Sequence, residues 1–78
     1  MKEEVLRVLR EECPDIDFNS SNALVDDGIL DSLAITGIIA ALTTEFGVAI
    51  PYEEITEENF NSLDAIANLL EKLKDAAC

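Results

Sequence analysis

A chain of 78 residues with 17 acidic and 5 basic side chains, no histidine and a net charge of −12 is sized for one domain, residues 1–78, that removes only about 60% of its unfolded surface from water. Such a charge argues against nucleic acid or an anionic membrane as partner and favours basic proteins. No apolar run approaches the roughly 18 residues of a membrane span, and Met1-Lys2-Glu3-Glu4 opens on charge rather than a secretory pattern, so a cytoplasmic monomer with no membrane insertion is expected.

Lys2 to about Glu12 has the period of a helix, with Val5, Leu6 and Leu9 as its inward stripe and Cys13 continuing it before Pro14 ends the run. Glu3 and Glu4 near the start, and Arg7 and Arg10 later, suit the helix dipole. Pro14 to Leu30 is rich in Asp, Asn and Ser and too long for an ordinary connection, so it reads as a long loop pinned by Ile16, Phe18, Leu24, Val25 and Ile29. Within it, Asp15-Ile16-Asp17-Phe18-Asn19 copies the first five positions of a calcium-binding EF-hand loop. The match then fails: Ser20 stands where glycine is needed and Asp26 where a bidentate glutamate is needed, so no metal ligand is assigned and the carboxylates read as solvated. Cys13 and Cys78, in a chain with no secretory signal, are expected as free thiols rather than a bridge.

Asp26-Asp27-Gly28-Ile29-Leu30-Asp31-Ser32-Leu33 joins this loop to the most apolar helix of the chain. Asp31 has the short acceptor side chain of an N-cap, and Ile35, Ile38, Ile39, Leu42 and Phe46 follow at helical spacing as the core stripe. Ser32 is then the first residue inside the helix, Gly28 gives the loose backbone before it, and Leu30 docks as the chain turns in. Its hydroxyl is placed in solvent at a helix N-terminus, where unpaired N–H groups and the dipole favour an anion. Beside the core stripe lie Leu33, Thr36, Gly37, Ala40 and Thr44, small or uncharged; this face is either half-buried in its own domain or closely approached by a partner.

Gly47 ends the helix, and Val48 to Tyr52 is short, extended and closed by Pro51, a packed connection rather than a strand. In Glu53-Glu54-Ile55-Thr56-Glu57-Glu58-Asn59-Phe60 the expected inward residues are Ile55 and Phe60, Thr56 caps a single helical turn, and the four glutamates form a solvated face. Ser62 caps a last helix with Leu63, Ile66, Leu70 and Leu73 inward and Lys72 and Lys74 near its C-terminus. The fold class is all-α: a small antiparallel four-helix bundle, three main helices plus one short helix, with a long loop between the first two.

A serine nucleophile at neutral pH needs a base, and the chain has no histidine while its three lysines, Lys2, Lys72 and Lys74, sit near the chain ends. No catalytic residue is assigned, and a serine that cannot attack can still carry a group that another enzyme attaches. Asp31-Ser32-Leu33 after an acidic Gly-containing loop, then a helix closing on Glu45-Phe46-Gly47 and the run Val48-Ala49-Ile50-Pro51, resembles an acyl carrier protein, from about Val5 to Leu73. The resemblance implies 4′-phosphopantetheine, donated by coenzyme A through a phosphopantetheinyl transferase and joined by a phosphodiester to Ser32. It also implies acyl groups carried as thioesters on the arm, and partners comprising an acyl- or aminoacyl-loading ligase and downstream synthase enzymes. Asp31 and Leu33 match the motif's flanks, and with Thr36, Gly37 and Ala40 are expected to be read by the transferase and the partner enzymes.

The leading expectation is an acyl carrier for fatty-acid or polyketide-type synthesis. Its sister reading is an aminoacyl carrier, D-alanyl or peptidyl, which the bulky Ile29-Leu30 pair before Asp31 and the stretch Glu57 to Ser62 resemble more closely. Gly37, Thr43 and Thr44 are uncharged where fatty-acid carriers are acidic, which implies recognition by shape more than by charge. A third reading, of another class, is a small acidic helical protein that binds a partner or a metal with no covalent arm.

Overall fold

The computed structural model describes residues 2–19 and 22–77, and the regular structure among them is helical: α1 (Lys2–Glu12), α2 (Ser32–Phe46), a 3-10 turn (Tyr52–Glu54), α3 (Glu57–Phe60) and α4 (Leu63–Ala77). The helical bundle of three long helices and a short one, with a long first loop, is as the patterning predicts. α1 and α2 run antiparallel: Arg7 in the first half of α1 pairs with Glu45 in the last turn of α2, while Glu12 at the end of α1 lies against Gly37 near the start of α2. Lys2 at the head of α1 pairs with Asp64 in the first turn of α4, and Lys74 near the end of α4 sits 5.9 Å over the Phe46 ring at the end of α2.

The helix ends are set by local chemistry. A helix leaves its first N–H groups without carbonyl partners, and a short side-chain oxygen one residue ahead supplies one. Asp31 accepts from Ala34 N at 2.8 Å, Thr56 from Asn59 N at 3.3 Å and Ser62 from Ala65 N at 3.0 Å. At the other end of α2, Gly47 takes the left-handed conformation at φ 67° and its N–H donates to Thr43 O, which only a residue without Cβ does cheaply.

One apolar cluster holds the elements together. α1 contributes Val5, Val8 and Leu9; the long loop Phe18, Leu24 and Leu30; α2 Ile38 and Leu42; the connection Val48; α3 Phe60; and α4 Leu63, Ile66, Ala67, Leu69 and Leu70. Each fully buried Leu, Ile or Phe contributes roughly 1.5–3 kcal/mol of transfer free energy. The first loop is pinned to the core as expected, yet one of its assignments and two outside it change. Val8, not Leu6, goes deepest after Val5 and Leu9, because α1 is covered on two sides, by α2 and by α4, and its buried arc is wider than a single stripe. Ile29 is 38% exposed and Leu30 takes the inward place, turned there by the bond from Leu30 N to Leu24 O at 2.9 Å.

Ile55 is likewise 36% exposed, although its expected partner Phe60 is fully buried. The reason is the 3-10 turn before it, where successive side chains are about 120° apart. Glu54 is the residue turned towards α4, accepting from Lys72 Nζ at 3.0 Å, and its carbonyl accepts from Asn59 Nδ2 at 2.8 Å. Ile55 is thereby carried outward, and Glu54 leaves the solvated face assigned to the four glutamates.

Candidate functional site

The helix that begins at Ser32 does so because Asp31 satisfies two of its N–H groups, Ala34 N through the carboxylate and Ile35 N through the main-chain carbonyl at 2.9 Å. Asp31 is extended at φ −95°, ψ 179°, so the chain enters the helix at a sharp angle and leaves Ser32 exposed on the first turn. Leu33 next to it is 83% exposed, an apolar side chain held in water at a cost the fold itself does not repay. Thr36, one turn on, is exposed and its hydroxyl donates back to Ser32 O at 2.8 Å, tightening the turn that carries the serine.

Behind the serine, the loop is held in a compact form. Gly28 sits at φ 76° with open space around its α-carbon, the left-handed position that lets the acidic turn reverse. Asp27 N donates to Ala23 O at 2.7 Å and Gly28 N to Val25 O at 3.0 Å. Cys13, half-buried at the end of α1, has its thiol pushed above its ordinary value by burial first and then by the carboxylates of Glu12 and Asp31, so it is neutral and poorly nucleophilic near pH 7. On the far side of α2, hydrogen bonding and charge from Glu45 hold the Arg7 guanidinium more firmly protonated, with Glu11 adding to this.

The expected site residues divide into two groups. Asp31, Ser32, Leu33 and Thr36 come together at the head of α2. Gly37 and Ala40 instead line a groove towards α1 with Val8, Glu11, Glu12, Ala41, Thr44 and Glu45. At Gly37 an added Cβ would stand 2.5 Å from Glu12 Oε1, the far end of an exposed, flexible side chain. Among the described residues no group of three Cys, Asp or Glu is arranged to hold a metal, and Asn19 N donates to Asp17 Oδ1 at 3.0 Å within the loop; Ser20 and Cys78 lie outside the described residues.

Sequence reasoning missed Asn61. It sits in the break between α3 and α4, where its side chain and carbonyl reach across to Leu24, Val25 and Asp26 of the loop that leads to Ser32. An asparagine outside a helix between two helical segments is a signal for side-chain bonding to backbone, but the signal does not say to which backbone.

These features fit a phosphodiester on Ser32: an exposed hydroxyl at the positive end of a 15-residue helix, and no buried polar side chain among the described residues that would contend for the group. No helix among the described residues is long and apolar enough to cross a membrane. The family described as phosphopantetheine attachment site matches residues 1–70. The D-alanyl carrier protein of Bacillus velezensis is 32% identical over 75 residues, covering 94% of this chain and 96% of that protein. That of Bacillus subtilis gives the same identity and coverage, and that of Listeria monocytogenes serovar 1/2a is 28% identical over the same shares of the two chains. No solved structure matches the chain significantly. With a match across the first 70 residues and relatives aligned over nearly their whole length, the chain belongs to the phosphopantetheine attachment-site family, carrier proteins with a covalent 4′-phosphopantetheine arm.

Proposed function

We propose that the chain is an aminoacyl carrier of the D-alanyl type, with 4′-phosphopantetheine on Ser32 Oγ and the amino acid held on the arm's thiol. The observation that carries this reading is the end-to-end similarity to D-alanyl carrier proteins, at 32% identity over 75 residues. The exposed position of Ser32 at the head of α2 supports its choice as the attachment point. When bound, the arm supplies a thiol for thioester formation.

The chain's own part is to display and not to react. It lacks histidine, the commonest base for a serine hydroxyl, and on this reading the transferase supplies the base that frees the serine oxygen. Asp31 holds the first turn in place, Leu33 offers an apolar contact one residue beyond the serine, and Thr36 stiffens the turn between them. The chain then acts as a non-catalytic substrate of its loading ligase. Fatty-acid or polyketide cargo, the leading expectation from the sequence, is the weaker reading, because its support lay in motif residues that both kinds of carrier share and the relatives found carry the aminoacyl name. An armless acidic binding protein gives way to the family membership.

Co-expression with a phosphopantetheinyl transferase should add about 340 Da to the intact mass. Incubation with ATP, D-alanine and a D-alanine-activating ligase should add about 71 Da more, and Ser32→Ala should remove both gains. A mass gain that survives Ser32→Ala refutes the attachment point. Loading by a fatty-acyl ligase, with none by the D-alanine ligase, returns the cargo to the acyl class.

A further inference from the structure

We infer that Asn61 is a positioning residue for phosphopantetheine transfer, clamping the acidic turn ahead of Ser32 in the form on which the transferase docks. This rests on Ser32 as the attachment point.

Four bonds converge on Asn61. Its main-chain carbonyl accepts from Leu24 N at 2.8 Å; its Oδ1 accepts from Val25 N at 2.9 Å and Asp26 N at 3.1 Å; its Nδ2 donates to Asp26 Oδ2 at 3.2 Å. Leu24 is the relay: its carbonyl accepts from Leu30 N at 2.9 Å, and Leu30 precedes the Asp31 cap and Ser32. One side chain from the α3–α4 junction thus fixes a turn that is distant in sequence and borders the serine.

The division of labour within the turn makes this more than a packing role. Leu24 and Leu30 are buried in the core, an anchor separate from the bonds of the Asn61 side chain. Val25 is half-buried and Asp26, Asp27 and Gly28 are exposed, so what the side chain holds is the acidic tip itself. A basic partner that meets the turn's ordered main chain and the Asp27 carboxylate on it avoids the entropic cost of ordering them on contact, while Asp26 serves as the turn's internal partner for Asn61. Releasing the tip therefore weakens docking and leaves the chemical step at Ser32 nearly untouched, an effect on KM rather than kcat.

The test is transfer from coenzyme A by a phosphopantetheinyl transferase, with initial rates measured against carrier concentration by intact mass. Asn61→Ala should raise KM about fivefold, with kcat within about twofold of wild type. Asn61→Asp keeps an acceptor for the Val25 and Asp26 N–H groups but sets a second carboxylate against Asp26, and should also raise KM. Adding Asp26→Asn to it restores a donor facing an acceptor at unchanged net charge, and should return KM to within about twofold of wild type. Hydrogen exchange at the Val25 and Asp26 amides should quicken in Asn61→Ala and recover in the swapped pair. A lower melting temperature with unchanged KM in Asn61→Ala, or a swapped pair no better than Asn61→Asp, overturns the inference and leaves Ser32 standing. Modification that persists in Ser32→Ala overturns the attachment point and this inference with it. If Asn61→Ala does not fold, the swapped pair alone decides.

Discussion

Replacing Gly37 by alanine sets two effects against each other in the middle of α2. Glycine in a helix interior costs about 1 kcal/mol relative to alanine, through backbone entropy that alanine does not lose. Against this, the new Cβ would stand 2.5 Å from Glu12 Oε1 and 3.3 Å from its Cδ, closer than atoms tolerate. The obstructing atoms are the far end of a flexible, exposed side chain and not backbone, so Glu12 can swing into solvent for roughly 0.5 kcal/mol of rotamer cost. The net is a gain of about 0.5 kcal/mol. Unfolding entropy of about 2.1 cal/mol/K per residue over 78 residues makes each kcal/mol worth about 6 °C, so Gly37→Ala should raise Tm by about 3 °C. Differential scanning calorimetry on the apo protein measures it, and adding Glu12→Ala should change the gain by less than about 0.5 kcal/mol. A fall in Tm would refute the reasoning: Glu12 would then be held in place, or the α1–α2 spacing would need the missing Cβ.

Asp31→Ala removes the N-cap of α2 and should lower stability by about 1 kcal/mol, near 6 °C in Tm, whereas Asp31→Asn keeps an acceptor and should cost only a few tenths; equal losses would show that the cap contributes by charge alone. At net charge −12 added salt or millimolar magnesium should raise Tm, and a melting curve indifferent to both would contradict the mutual repulsion of the acidic surface. The Cys13 thiol, raised above its ordinary value of 9.0, makes the unfolded chain release its proton first as pH rises. Its stability contribution is full below about pH 9 and is lost above it. Cys13→Ala should flatten that alkaline decline in chemical-denaturation curves, and Cys13 should be alkylated more slowly than glutathione at pH 8.

What was legible in the sequence was local. The caps at Asp31, Thr56 and Ser62 were readable because a side-chain oxygen reaches an N–H three residues on, a relation contained within four residues of sequence. Gly47 was readable because few other residues tolerate its φ. The misplacements at Ile29 and Ile55 arose where no period exists: outside helices, which of two neighbouring residues turns inward depends on a bond to a distant partner, Leu30 N to Leu24 O in one case and Glu54 to Lys72 in the other. Asn61 and the Gly37–Glu12 approach were hidden for the same reason. Cargo was hidden for another: every carrier reading needs the same exposed serine, and the chemistry that separates an amino acid from a fatty acid belongs to the enzyme that loads it.

The head of α2 and the rest of the surface divide the work of recognition along physical lines. A charge of −12 acts over a Debye length of about 8 Å at physiological salt and would favour the approach of a basic partner, but it says little about which one. Selection requires contacts that desolvate, and in the segment that leads into and begins α2 the exposed large apolar side chains are Leu33 at 83% and Ile29 at 38%. The α2 segment itself carries a single acidic residue, Glu45, which is tied to Arg7 at the end of the helix far from Ser32. On the proposed function, a partner docking at Ser32 would meet exposed apolar shape at the head of the helix and an acidic turn before it. Asp31 and Thr36 bond the first turn of α2 and Asn61 bonds the turn before it, so on that reading the moving part can be confined to the arm. A carrier needs that arrangement: a rigid address that several enzymes dock on, and a flexible tether that reaches into each.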